Sequence, residues 1–350
     1  MTGLAAVRVG MIGAGAVASR HVRTLLAMDG VRVAAVADPA VERAGRLADL
    51  AGASAYPSHL DLLERERLDA VYVCVPPFAH GAPELAVIDA GLPLFVEKPV
   101  AIDLATAEAV AARLAERPVP TCAGYHWRWL DIFDRAADLL AANPARLVSC
   151  SWLDKVPPPP WWVRRDGSGG QTVEQTTHVL DLARALAGEV AEVHAFAARV
   201  TPTATPGADV DEVSVGSLRF EGGAVGSVAS TCLLPRLHRA GVEVVADGLW
   251  LWLSETELEV EADGERSRWR ADGDARPRPD RDFLQAVRGG PDRIRVPWQE
   301  AYRTHRLACA LVRSADEGRP VALDPADGGS GSGGLMASPP VDQADVVGRG

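Results

Sequence analysis

Of the 36 lysine and arginine residues in this 350-residue chain, only Lys98 and Lys155 are lysines. Lys98 closes the run Leu92-Pro93-Leu94-Phe95-Val96-Glu97-Lys98-Pro99-Val100, an apolar stretch of strand type that stops at an acid, a base and a proline. A lysine partly withdrawn from water can give up its proton, its reference pKa of about 10.4 falling toward about 7 or 8, whereas arginine stays charged. Lys98 is therefore a candidate proton carrier; the alternative is a lysine that caps a strand end beside Glu97. A second chemical stretch runs from Gly169 to Asp181. In it Glu174, His178 and Asp181 recur at i, i+4 and i+7, the spacing of one helix face, behind the pair Gly169-Gly170. A carboxylate beside an imidazole can orient its tautomer and hold it ready for proton transfer. The same pair also suits a structural contact, and as a metal site it lacks a third ligand in sequence.

These groups need a frame, and the first 123 residues read as one. Val7 to Ile12 is a buried-strand pattern, followed directly by Gly13-Ala14-Gly15-Ala16-Val17-Ala18 and a helical stretch from Ser19 to Met28. This is the G-x-G-x-x-A form of the dinucleotide fingerprint, in which glycines let the backbone approach a pyrophosphate at a helix N-terminus. A second strand, Val31 to Ala37, ends in Asp38, where the ribose hydroxyls of NAD require an acid. No arginine adjoins Asp38, which favours NAD; Arg43, one turn on, keeps NADP open. The strand Ala70 to Val75 stops at Pro76-Pro77-Phe78-Ala79-His80, and His80 can touch the cofactor or cap the helix from Pro83 to Ala90. Strand and helix go on alternating through Leu94–Val96, Ala105–Glu116 and Pro120–Ala123, which predicts a doubly wound parallel sheet.

After Gly124 the character changes. Five of the nine tryptophans fall between Trp127 and Trp162, a density that suits stacking on sugar C–H faces as well as core packing. Tyr125, Arg128, Trp162 and Asp181 are candidates for the substrate wall. A helix is expected over 132–142 and a strand over 147–153, followed by strands over 190–200, 212–220, 224–232, 241–246 and 249–253. Helices return over 280–288 and 298–317. Three segments follow: a dinucleotide domain at 1–123, an α/β substrate domain at 124–326, and a Gly/Ser/Pro-rich tail at 327–350 that reads as disordered.

A formal net charge of -11 without any basic block argues against nucleic acid and anionic membrane surfaces as partners. The five scattered cysteines read as buried free thiols in a reducing compartment, and the absence of a leader pattern or an 18-residue apolar run points to the cytoplasm. No Cys/His cluster has zinc spacing, so no metal is expected.

The constellation of Gly13-Ala14-Gly15, Asp38, Pro76 with His80, Glu97-Lys98-Pro99, Arg128, and Gly169-Gly170 leading to His178 and Asp181 resembles the glucose-fructose oxidoreductase, inositol dehydrogenase and MocA family over about residues 5 to 325. The resemblance implies a Rossmann domain joined to an α/β domain with a large, mostly antiparallel open sheet, through which members commonly form dimers or tetramers. It implies hydride transfer between NAD(P) and a sugar, cyclitol or related hydroxyl or carbonyl, with Lys98 near the nicotinamide and His178 as acid/base. Glu174 would orient His178 or bind a substrate hydroxyl. Inositol dehydrogenase-like members usually carry aspartate at the position of Glu174, a departure that argues against inositol itself. Two readings of other classes share the resemblance: a non-catalytic sensor of NAD and sugar, and an NAD-dependent glycoside hydrolase with a transient redox step.

Overall fold

The computed structural model describes residues 6–199 and 207–324. Six parallel strands form the first sheet: β1 (Val7–Ile12), β2 (Val31–Ala37), β3 (Ser54–Tyr56), β4 (Ala70–Val73), β5 (Leu94–Val96) and β6 (Thr121–Ala123). Their order is β3-β2-β1-β4-β5-β6. Helices α1 (Ala16–Leu26), α2 (Val41–Ala51), α3 (His59–Arg65), α4 (Ala82–Asp89) and α5 (Leu104–Glu116) make the crossovers. The central strands are mostly apolar, Val-Arg-Val-Gly-Met-Ile in β1 and Ala-Val-Tyr-Val in β4, because both sheet faces are covered, β4 being buried at every position. In this topology the chain reverses direction between β1 and β4, and ligands bind beyond the strands' carboxyl ends there. Gly13, Asp38, Cys74, Glu97 and Gly124 all follow strands at that edge.

The second sheet has nine strands. After α6 (Asp131–Ala142) come β7 (Leu147–Leu153), α7 (Arg165–Ser168), α8 (Gln171–Glu174) and α9 (Thr177–Ala187). Then β8 (Val190–Ala198), β9 (Val213–Phe220), β10 (Val225–Thr231), β11 (Arg239–Ala246), β12 (Leu249–Leu253), β13 (Glu257–Ala262) and β14 (Glu265–Arg270) follow. The chain ends its described course in α10 (Pro277–Val287), α11 (Trp298–Glu317) and β15 (Val321–Ala322). The order β14-β13-β12-β11-β7-β10-β9-β8-β15 is antiparallel apart from the β7–β10 pair. One face is packed by α6, α9 and α11; on the other, Leu147, Phe196, Val215 and Val225 are exposed.

Two features depart from the sequence expectations. The edge hairpin β13–β14 is absent from them because its exposed positions are Glu and Arg rather than apolar residues. Arg266 and Arg268 on β14 both pair with Glu259 on β13, and the turn takes Asp263 (φ 53°) and Gly264 (φ 77°) into the left-handed region as a two-residue hairpin demands. The chain also returns to the first core late. Phe283, Leu284, Val296 and Trp298 are buried in the same cluster as β1, β4 and β5, and the Ala123 N–H donates to the Val296 carbonyl at 2.8 Å. The stretch from 124 onward thus contributes to both cores. The tail 327–350 and most of the 201–209 loop lie outside the described residues.

Phe283 meets Tyr72 and Phe95 edge-on at 5.6 and 5.7 Å, over a Tyr72–Phe95 stack at 4.5 Å. Phe283→Ala is expected to lower stability by about 3–5 kcal/mol. Hydrogen exchange should show the protection lost in β4 and β5, some 200 residues away in sequence; loss confined to α10 would contradict the shared core.

Candidate active site

The cofactor cradle is built at the β1–α1 turn. Gly13 has φ +97°, and a Cβ there would lie 2.3 Å from the Cys74 carbonyl oxygen, so only glycine fits. A Cβ at Gly15 would meet nothing within 4 Å, which leaves the backbone open on the side where Ala16 and Val17 start α1. Those exposed N–H groups suit a pyrophosphate. Asp38 is buried, its carboxylate accepting from the Ala14 N–H at 2.9 Å and the Ala40 N–H at 2.8 Å, with Arg43 Nη2 at 3.0 Å. A carboxylate has about four acceptor sites, so capacity for a ribose hydroxyl remains. His80 stands just ahead of Gly81, the N-cap of α4, and touches that helix through Glu84. Its Nδ1 lies 2.5 Å from Glu84 Oε1, while Glu84 Oε2 accepts the Gly81 N–H at 2.6 Å at the start of α4. Pro76 leads into that turn. Glu97 turns inward: Arg20 and His21 hold one oxygen, and its other accepts the Lys98 N–H at 3.0 Å.

Lys98 leaves the end of β5 and crosses to the second domain. Its Nζ donates to Glu174 twice, to Oε1 and to the main-chain oxygen, both at 2.8 Å. The expected helical stripe of Glu174, His178 and Asp181 is broken, and the break explains this contact. α8 stops at Glu174, Thr176 N–H reaches back to the Gln171 carbonyl, and His178 N–H bonds Gln175 instead of Glu174. The Glu174 carbonyl is thereby released from the helix ladder to accept the lysine. Its carboxylate, expected to orient His178, orients Lys98 instead and is fixed from behind by the Trp162 indole N–H at 2.7 Å.

His178 has no carboxylate on its ring. It packs nearly parallel against the indoles of Trp127 (5.7 Å, 16°) and Trp152 (5.6 Å, 19°), which stand 5.9 Å from each other so that the three rings form a triangle, and its Nδ1 is buried without a partner. Burial, then the positive charges of Lys98, His126 and Arg20, holds the imidazole well below its ordinary value of 6.5. It is a neutral group.

Three of the four residues expected in the substrate wall, Trp162, Tyr125 and Asp181, are fully buried. Trp162 is fully buried because its indole must reach Glu174. Tyr125 is buried with its hydroxyl 2.8 Å from Thr177 Oγ1, and burial pushes its phenol up. Asp181 is buried on α9, where it accepts from Thr304 Oγ1 at 3.0 Å, and Arg128 Nη1 stands 3.7 Å from it. Motif reading passed over Trp127, Trp152, Arg20, His21 and Asp280, whose roles come from tertiary contacts; only the local tryptophan density hinted at the first two. Among the described residues no cluster of His, Cys, Asp or Glu could hold a metal ion.

A glycine-rich strand-to-helix turn, an acid on the second strand and a lysine on the fifth define a dinucleotide-dependent oxidoreductase architecture. Family models described as "Oxidoreductase family, NAD-binding Rossmann fold" and "GFO/IDH/MocA C-terminal domain" match residues 7–125 and 144–252. The chain belongs to the GFO/IDH/MocA oxidoreductase family, and its first domain binds NAD. It is 27% identical over 226 residues to a myo-inositol 2-dehydrogenase of Thermotoga maritima, covering 63% of this chain and 67% of that protein. It is 31% identical over 186 residues to the rhizopine catabolism protein MocA of Rhizobium meliloti, covering 52% of this chain and 57% of that one. Among solved structures, the WlbA dehydrogenase of Bordetella pertussis, in complex with NADH and UDP-GlcNAcA, superposes with a TM-score of 0.81 at 20% identity over 93% of this chain and 99% of its own. A levoglucosan dehydrogenase in complex with NADH gives the same TM-score of 0.81 at 20% identity, over 90% and 98% of the two chains. At that identity the likeness is one of fold.

Two predictions follow from the geometry. Asp38→Ala removes the ribose acceptor and frees Arg43 together, so fluorescence titration should show NADH binding weakened far more than NADPH binding; equal losses would make NADP the preferred cofactor. His178, assigned by comparison with His178→Asn, should show no NMR titration step at or above pH 6.5. Its folded-state pKa is depressed, so as pH falls below 6.5 the unfolded chain binds the proton first and stability declines. A step near 6.5 would contradict the burial of His178 against the two indoles.

Proposed function

We propose that the chain is an NAD-dependent dehydrogenase acting between a secondary alcohol and the corresponding ketone of a sugar, cyclitol or related polyol. The observation that carries the reading is the donor count at Lys98. An ammonium has three N–H groups; Glu174 takes two, and one is left to point at a reacting oxygen. Bound in the cradle, the nicotinamide supplies the hydride acceptor or donor. Lys98 Nζ hydrogen-bonds the substrate oxygen and stabilises negative charge developing there. His178, neutral and with Nδ1 buried, exchanges the hydroxyl proton through Nε2, as base in oxidation and as acid in reduction. The relatives, inositol and D-xylose dehydrogenases among them, support a polyol substrate.

Assembly as a homodimer or homotetramer through the open face of the nine-stranded sheet belongs to the same proposal. Phe196, Val215, Val225 and Leu147 share that face at 62%, 50%, 54% and 44% exposure, as two apolar pairs, Phe196 beside Val215 and Val225 beside Leu147, which support pairing with a second copy. No helix among the described residues is long and apolar enough to cross a membrane. All five cysteines are free thiols, which supports a reducing, cytoplasmic setting.

NADH and NADPH titration followed by a screen of sugars and cyclitols for change at the nicotinamide band tests the reading. Turnover on a polyol is expected, and Lys98→Ala should cut it by about 10²-fold or more while NADH still binds. Cofactor binding without net redox change, with or without cleavage of a chromogenic glycoside, would overturn it.

A further inference from the structure

Behind Lys98 lies a chain of buried charges that the proposed chemistry does not itself use. Glu97 Oε1 is 2.8 Å from His21 Nε2 and 3.2 Å from Arg20 Nη2, and His21 Nδ1 is 2.6 Å from Asp280 Oδ1. His21, Glu97 and Asp280 are 2%, 6% and 1% exposed. A carboxylate faces each ring nitrogen, and ionised carboxylates only accept, so both nitrogens donate and the ring is an imidazolium. Burial alone would lower its pKa, but Asp280 and then Glu97 more than reverse this and raise it to about 9. Gly124 makes room for the arrangement: a Cβ there would lie 2.6 Å from the Glu97 carboxylate.

We propose that His21, held by Asp280 and acting through Glu97, is a positioning residue for Lys98. The inference rests on the reading of Lys98 as the group that meets the reacting oxygen. His21 sits on α1, whose N-terminus forms the cofactor cradle, and Glu97 carries the Lys98 N–H on its other oxygen. One imidazolium therefore ties α1 and its cradle to the Lys98 backbone, from which the ammonium-bearing side chain starts. Stability does not explain the device, since a buried ion triad is often no better than an apolar set of equal volume. Its distinctive property is direction: three hydrogen bonds in series leave the Lys98 backbone one orientation.

The scarcity of lysine permits a direct test, since 13Cε-lysine labelling gives two side-chain signals, with Lys155→Arg assigning them. In His21→Gln the Lys98 signal should move toward that of Lys155. On a substrate from the polyol screen, kcat should fall by about tenfold to 10²-fold, with KM and NADH affinity near their original values. Asp280→Asn keeps an acceptor for Nδ1–H, so it should fold and show a smaller change in the same direction. An unmoved Lys98 signal in either folded variant overturns the inference, as does a loss of stability or NADH affinity without a change at Lys98. If the signal moves as expected but Lys98→Ala retains full turnover, the catalytic reading of Lys98 has failed and the positioning by His21 stands.

Discussion

The contact between Lys98 and Glu174 is the one on which the site depends, because it joins two sheets that share no strand. The lysine comes from the carboxyl end of β5, the glutamate from a helix end in the second domain, and neither could direct the other if the helix ran on. An unbroken helix would spend the Glu174 carbonyl on the His178 N–H. Breaking it at Gln175 and Thr176 gives the ammonium a carbonyl and a carboxylate from one residue. Two glycines ahead of α8 set where that helix begins. Gly169 (φ 74°) and Gly170 (φ 90°) lie in the left-handed region, and a Cβ at Gly169 would meet the Ile102 carbonyl oxygen at 2.9 Å.

The same lysine also sets the state of the histidine. After burial, its charge is the largest influence holding His178 neutral. The indoles of Trp127 and Trp152 contribute to the burial without offering a hydrogen-bond acceptor to either ring nitrogen. A carboxylate in place of either indole would stabilise the imidazolium and remove the difference between the two groups. One group donates a hydrogen bond and the other is free to take a proton, and the distinction comes from their surroundings.

Most of the first domain was legible in the sequence because its functional residues follow strands, and in a doubly wound sheet strand ends converge on one edge. Gly13, Asp38 and Lys98 needed only local pattern and that topological rule. The second site was legible in its residues but not in its contacts. A periodicity argument assumes a continuous helix, and the interruption after Glu174 turned an inferred Glu174–His178 pair into a Glu174–Lys98 pair. His21 and Asp280 were invisible for another reason: their pairing spans 259 positions and follows no spacing rule. Charged alternation hid β13 and β14, since a solvent-facing edge strand can satisfy its outward positions with Glu and Arg as well as with apolar residues.

Glu174 also bears on why this chain departs from the aspartate usual in the inositol dehydrogenase-like members it resembles. Its carboxylate spans two partners, Lys98 at 2.8 Å on one oxygen and the Trp162 indole at 2.7 Å on the other. An aspartate, shorter by one carbon–carbon bond of about 1.5 Å, would have to give up one of them or draw the backbone after it. The longer side chain lets the buried tryptophan fix the carboxylate while the carboxylate fixes the lysine. Under the proposed function a substrate meets an ammonium of set direction with one unused N–H, and residue 174 acts on the reaction through that ammonium.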